Sequence, residues 1–115
     1  MPLKTKHSLM YDNSISAGVT DVQMTPIIPV GKKVRLQNFG GFDPSIGDGI
    51  DSMIAIQWGT GTTWQTIRAG GKVFEFQIGR DFLGDGAKRF RLVRQNKSAS
   101  AKIIVAWLEA LVVDV

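Results

Sequence analysis

The chain contains no cysteine among its 115 residues. That excludes thiol catalysis, thiolate-ligated zinc and disulfide stapling. Its single histidine, His7, cannot build a zinc site without thiolates, and it has neither the nucleophile nor the acid partner of a hydrolytic triad. No apolar run reaches the roughly eighteen residues of a membrane span. The opening MPLKTKHSLMYDNS has lysines but no apolar stretch behind them, unlike a secretory signal. A soluble protein, made in a cytoplasm and without a membrane partner, is expected. Capped stripes of period 3.6 are missing, so helices are not expected. The glycine-rich GTGTTW lacks the Gly-Lys-Ser/Thr ending of a phosphate loop.

What is present is glycine, 13 residues of it, against 43% apolar residues, a balance that suits many short elements joined by tight turns. The length suggests one domain, able to bury roughly two thirds of its unfolded surface and so to fold without staples. The net charge is +4, which permits anionic partners without demanding them.

Residues 1–13 show no clean period and read as an N-terminal arm, frayed or laid over a neighbour. From residue 14 to 115 the pattern is that of strands. In KKVRLQNF, Lys33, Arg35 and Gln37 alternate with Val34 and Leu36, the sign of a half-buried strand. SMIAIQW puts Ile54, Ile56 and Trp58 on one face, GTGT turns, and TWQTIRA returns as a hairpin partner. KVFEFQI sends Phe74, Phe76 and Ile78 inward, and KRFRLVRQ does the same with Phe90 and Leu92. GGFDPSIGDGID and GRDFLGDGA read as loops, and Pro26 and Pro29 mark an edge or a strand boundary. Seven to eight short strands spaced in this way imply an all-β, antiparallel β-sandwich or barrel.

The terminal AKIIVAWLEALVVDV departs from the alternation. Ile103, Val105 and Trp107 point one way and Ile104, Ala106, Leu108 and Ala110 the other, with both sets apolar. Its β-branched residues favour strand over helix. Leaving one set in water would forfeit roughly 1.5–3 kcal/mol for each large side chain. Either the chain's own loop or arm covers the second face, or another subunit does.

Candidate sites are few. Asp43, Asp48 and Asp51 could hold calcium, although Asx-turns explain the same residues. Trp58 and Trp64 flank the GTGT turn and could stack on sugar rings, on one face if the loop is symmetric about Gly61 and on opposite faces otherwise; core packing is the ordinary fate of such tryptophans. Lys33, Arg35, Arg89 and Arg91 could meet phosphates or an acidic partner, but the aromatics that would stack bases alternate inward, which leaves no platform for nucleic acid. No convergent set of groups suggests an enzyme, a cofactor or a metal.

The run GDGAKRFRLVRQNKSASAKIIVAWLEALVV, taken with VGKKVRLQNF, resembles small β-sandwich proteins of tailed-bacteriophage virions, with capsid decoration or cement proteins nearest in size and style. The resemblance implies a jelly-roll-like domain with an extended N-terminal arm, made in the host cytoplasm and carried on the capsid exterior. It implies a homo-oligomer, trimer or dimer, that clamps the major capsid protein or another virion protein. The contacts would fall on Leu3, Leu9, Met10 and Tyr11 of the arm and on Ile104 and Leu108 of the last strand. A tail or fibre module that binds glycans through Trp58 and Trp64 is the alternative.

Overall fold

Strands form here where β-branched and aromatic residues alternate with polar ones, and they stop at glycine and proline. The computed structural model describes residues 5–43, 52–71 and 73–115, with backbone alone for 73–79. Among these residues lie ten strands and no helix: β1 (Thr5–Tyr11), β2 (Ser14–Ile15), β3 (Thr20–Met24), β4 (Lys32–Phe42), β5 (Ser52–Thr60), β6 (Thr63–Gly70), β7 (Val73–Leu83), β8 (Arg89–Asn96), β9 (Lys102–Ile103) and β10 (Val105–Asp114).

The pairing is nested. β1 pairs with β10, β2 with β9, β3 with β8, β4 with β7 and β5 with β6, all antiparallel. The chain is in effect one long hairpin doubled back at Gly61-Thr62. Two more pairings, β10 with β4 and β5 with β8, roll that hairpin up. The product is two four-stranded sheets, β1-β10-β4-β7 and β3-β8-β5-β6, with β2-β9 as a short third. This is an antiparallel jelly-roll sandwich, which puts the core between its two main sheets.

The inward residues of both sheets meet in two clusters. The larger holds Val34, Leu36, Phe39, Ile56, Trp58, Phe82, Phe90 and Leu108 among others, and the smaller holds Ile15, Ile54, Leu92, Ile104 and Ala106. Trp58, Phe82 and Phe90 form an aromatic triangle with ring centroids 4.9 to 5.2 Å apart. Gly41 faces the smaller cluster for a steric reason. A Cβ there would stand 2.7 Å from the Val105 carbonyl oxygen and 3.0 Å from the Ile54 side chain.

The expected strands are found, with three corrections. Residues 5–11 are not an arm outside the sandwich. They form an edge strand registered residue for residue from Thr5↔Val112 to Tyr11↔Ala106, because His7, Leu9 and Tyr11 alternate inward over a ready-made partner. Residues 79–83 are strand rather than loop. The β4–β7 register shifts between Leu36 and Asn38, an irregularity that lets a glycine-bearing segment continue the ladder, and Asp81 is retained beside Arg35. Finally, β10 needs no external layer over its Ile104–Leu108 face. Ile104, Ala106, Leu108 and Ala110 are fully buried in the chain's own core, so Ile104 and Leu108 cannot serve as contacts for a partner. The inward placing of Phe74, Phe76 and Ile78 lies outside the described side chains, and Leu3, Asp48 and Asp51 lie outside the described residues.

Candidate interaction surfaces

Jelly-roll geometry leaves each main sheet with one outward face. On the β1-β10-β4-β7 face, register places Met10 beside Trp107 and Trp107 beside Gly40, with Val105 beside Phe42 in the next row. Glycine opposite a tryptophan gives the indole room to lie against the sheet. Its Nε1–H donates to Asn38 Oδ1 at 2.8 Å, and the Phe42 ring meets it edge-on at 6.4 Å. Met10, at the sheet edge, is 62% exposed. These residues form an apolar end on an outward face. The remaining rows of that face carry ions. Lys6 pairs with Glu109 at 2.8 Å, and Arg35 and Lys33 share Asp81 at 2.8 and 3.4 Å. Arg35 holds the Asp81 carboxyl below the usual carboxylate range, chiefly by hydrogen bonding.

The outward face of the other sheet is a polar clasp. The Arg91 guanidinium stacks on the Trp64 ring, 4.2 Å from its centroid, and Arg91 Nε–H donates to Gln57 Oε1, whose amide in turn donates to Thr66. Trp64 Nε1–H donates to the Gly61 carbonyl. Register places Trp64 opposite Gly59 and Trp58 opposite Gln65, so the two indoles point to opposite faces. Trp58 lies in the core at 6% exposure. The two-indole sugar platform therefore does not form. The basic pairs are also separated: Lys33 and Arg35 lie on one outer face, Arg89 and Arg91 on the other.

A third cluster was not singled out by the sequence pattern. Arg94 follows Phe90 and Leu92 in the inward alternation of β8 and is 1% exposed. Its guanidinium donates to Asp21 Oδ2 at 2.7 and 3.2 Å, to Asn13 Oδ1 at 2.7 Å, to the Asn13 carbonyl at 3.4 Å and to the Ile104 carbonyl at 2.8 Å. Tyr11 lies beneath it, 5.4 Å away. One buried cation thus ties β8 to β3, to the β1–β2 junction and to the approach to β10. The signal was available: Arg94 occupies a position that the period of two assigns to the core, and Asp21 stands directly opposite it in register.

Asp43 is committed as well. Its carboxylate takes the Lys102 ammonium at 2.7 Å and the Ser52 hydroxyl at 2.9 Å. Asp48 and Asp51, the other two carboxylates of the expected calcium set, lie outside the described residues. Among the described residues no group of acidic and histidine side chains could hold a metal. His7 faces inward with a buried Nδ1 that has no hydrogen-bond partner among the described residues, and burial lowers its pKa.

No family model matches this chain, and no curated protein matches it in sequence. Solved structures do match in shape. A chain from an archaeal virus, described by its triple jelly-roll fold and turret assembly, superposes with TM-score 0.56 at 17% identity, over 99% of this chain and 29% of that one. A subunit of Bacillus endospore appendages, described as disulfide-linked pili, gives 0.50 at 9% identity over 99% and 88%. A chain of infectious bursal disease virus, Gx strain, gives 0.50 at 13% over 99% and 32%. This chain thus spans less than a third of the length of either viral chain. At such identities the shared property is the fold, a jelly-roll sandwich.

Proposed function

We propose that this protein is a non-enzymatic structural component of a virion, a decoration or cement protein on the capsid exterior that binds copies of itself and a neighbouring capsid protein. The observation that carries the reading is the outward face of the β1-β10-β4-β7 sheet. The exposed Met10 gathers there with half-buried Trp107, Phe42 and Val105, next to rows of charge. Large apolar side chains grouped on an outer sheet face mark contact surfaces more often than chance exposure does. The contact set moves accordingly, from Leu9, Tyr11, Ile104 and Leu108, which face inward, to Val105, Trp107 and Phe42, with Met10 alone kept from the contacts expected of β1. Likeness to viral jelly-roll chains supports the particle setting. Covalent linkage of the kind named for the endospore pili is closed to a chain without cysteine.

The test is a particle-binding assay. Met10→Ser with Trp107→Ser should leave the melting curve cooperative while abolishing both self-association and co-sedimentation with capsids. A double variant that still saturates particles at the wild-type copy number would refute the assignment of this face. Clear change in Trp64 fluorescence with oligosaccharide, on a monomer that ignores particles, would favour a glycan-binding module instead.

A further inference from the structure

We propose that β1 is an exchangeable strand: in the assembled protein, residues Thr5–Tyr11 of one copy occupy the β10 edge of a second copy. The proposal rests on the self-assembly part of the reading above and deepens it by naming the segment that joins the subunits.

The argument begins with how β1 is held. Among the described residues it is the outermost strand of its sheet and pairs with β10 alone. It can therefore leave and return sideways without threading the chain. Its inward side chains, His7, Leu9 and Tyr11, lie opposite Ala110, Leu108 and Ala106, all fully buried. The slot it fills is apolar, and Leu9 packs against both core clusters. Its outward hold is the surface pair Lys6–Glu109. One of its three inward groups fits poorly, because the buried His7 Nδ1 has no partner among the described residues.

The body, by contrast, is closed from Asn13 onward. Arg94 grips Asn13 through both its side chain and its carbonyl. Just beyond, Ile15 belongs to the smaller cluster and β2 pairs with β9. The pivot is thus Asp12, exposed and outside any strand. The slot and the strand are complementary by demonstration, since the structure shows β1 seated there. A second copy brings the identical segment with the identical register, which is why exchange of a terminal element is a low-cost route to assembly. A pivot this short requires the two bodies to meet at the end that carries Asn13. Ile103 and Val19 are both exposed at that end, at 47% and 46%, where a second body would cover them.

The absence of native cysteine makes the test clean. Ser8 and Glu109 are register partners on the outward face, and cross-strand Cα separations of about 4.5–5.5 Å suit a disulfide. Chains carrying Ser8→Cys alone are mixed with differently tagged chains carrying Glu109→Cys alone, co-refolded at high concentration and oxidised. Within one chain neither variant can close a disulfide. Exchange predicts a Ser8→Cys/Glu109→Cys heterodimer as the dominant covalent species, identified by tag and mass. A chain bearing both substitutions should link between copies, into a covalent dimer where the exchange is reciprocal and into longer oligomers where it runs on from copy to copy. If the protein is oligomeric by light scattering, yet the mixture gives no heterodimer and the doubly substituted chain closes only on itself, exchange is wrong while self-assembly stands. If the protein is monomeric throughout and no heterodimer forms, both are wrong. Unchanged melting curves for the single variants verify that the fold is intact.

Discussion

Replacing Arg94 with methionine tests the buried junction at its centre. Methionine keeps most of the aliphatic length and removes every donor. Asp21 then loses its cation, and the Ile104 carbonyl and Asn13 lose their shared donor. Removing one partner of a buried ion pair costs about 3–5 kcal/mol. The Asp21 side chain is 25% exposed, whereas that of Arg94 is 1% exposed, so water reaches the stranded carboxylate. The lower end, about 3 kcal/mol, is therefore expected. In a chain of this length that is roughly 10–15 °C in melting temperature. Asp21→Asn strands the buried cation instead and should fall nearer the upper end, about 5 kcal/mol. The double replacement Asp21→Leu with Arg94→Met removes both charges and should recover more than half of the single-variant loss, since apolar replacements of buried pairs are often neutral or better. Urea unfolding followed by tryptophan fluorescence reads all three, because Trp58 lies in the core. A loss below about 1 kcal/mol for Arg94→Met, or a double variant no more stable than either single one, would refute the view that the junction is a desolvated ion pair.

Other perturbations separate core from surface. Trp58→Ala should cost about 3–5 kcal/mol as a core truncation, and Trp64→Ala about 1 kcal/mol through loss of the arginine stack; equal costs in urea would contradict the assignment of the two indoles to opposite faces. Gly84→Ala would set a Cβ 2.3 Å from the Pro29 carbonyl oxygen and 2.6 Å from Ile28. Backbone cannot yield there, so a loss of about 1–3 kcal/mol is expected in thermal melts, and a neutral result would mean that the loop relaxes. Burial depresses the His7 pKa below its ordinary 6.5, so the unfolded chain takes up that proton first as pH falls. Stability should be full above about 6.5, decline through the folded-state value and then level off, and His7→Gln should remove that slope; parallel pH–melting curves for variant and wild type would show that His7 is not its source. Asp81 and Asp85 act in a separate, lower window. Arg35 depresses the first and the backbone N–H groups of Lys88 and Ala87 the second, each below 3.8. Their contribution is present above that value and lost as pH falls through the folded values, and Asp81→Asn should flatten this acid limb in the same melts.

Most of the strand inventory was legible because a period of two survives wherever one face is solvated. Val34/Arg35/Leu36 and Phe90/Arg91/Leu92 show it plainly, and both segments face the core as their alternation requires. Sequence failed where a rule of composition met a stronger tertiary one. Gly79, Arg80 and Asp81 have the composition of a loop, but cross-strand charge and a register shift hold them in β7. Residues 5–11 look aperiodic because Met10, an apolar residue, lies on the solvent side of an edge strand. Once β10 supplies the register, the alternation of His7, Leu9 and Tyr11 becomes visible.

The last strand shows how far the site itself could be read. Its two apolar faces were evident, and so was the dilemma of covering both, but nothing local says which face is inward. The choice is made by Ala106 and Ala110. Small residues flanking Leu108 let the opposite sheet approach closely, while the bulkier Val105, Trp107, Leu111 and Val113 remain half-buried outside. In a sandwich with sheets about 10 Å apart, that asymmetry of volume selects the inner face. Reading a two-faced strand for side-chain volume as well as for hydropathy would have moved the interface prediction from Leu108 to Trp107. The same volume argument explains Gly40. It stands opposite Trp107 and leaves room for the indole to reach across the outer face to Asn38 Oδ1 at 2.8 Å.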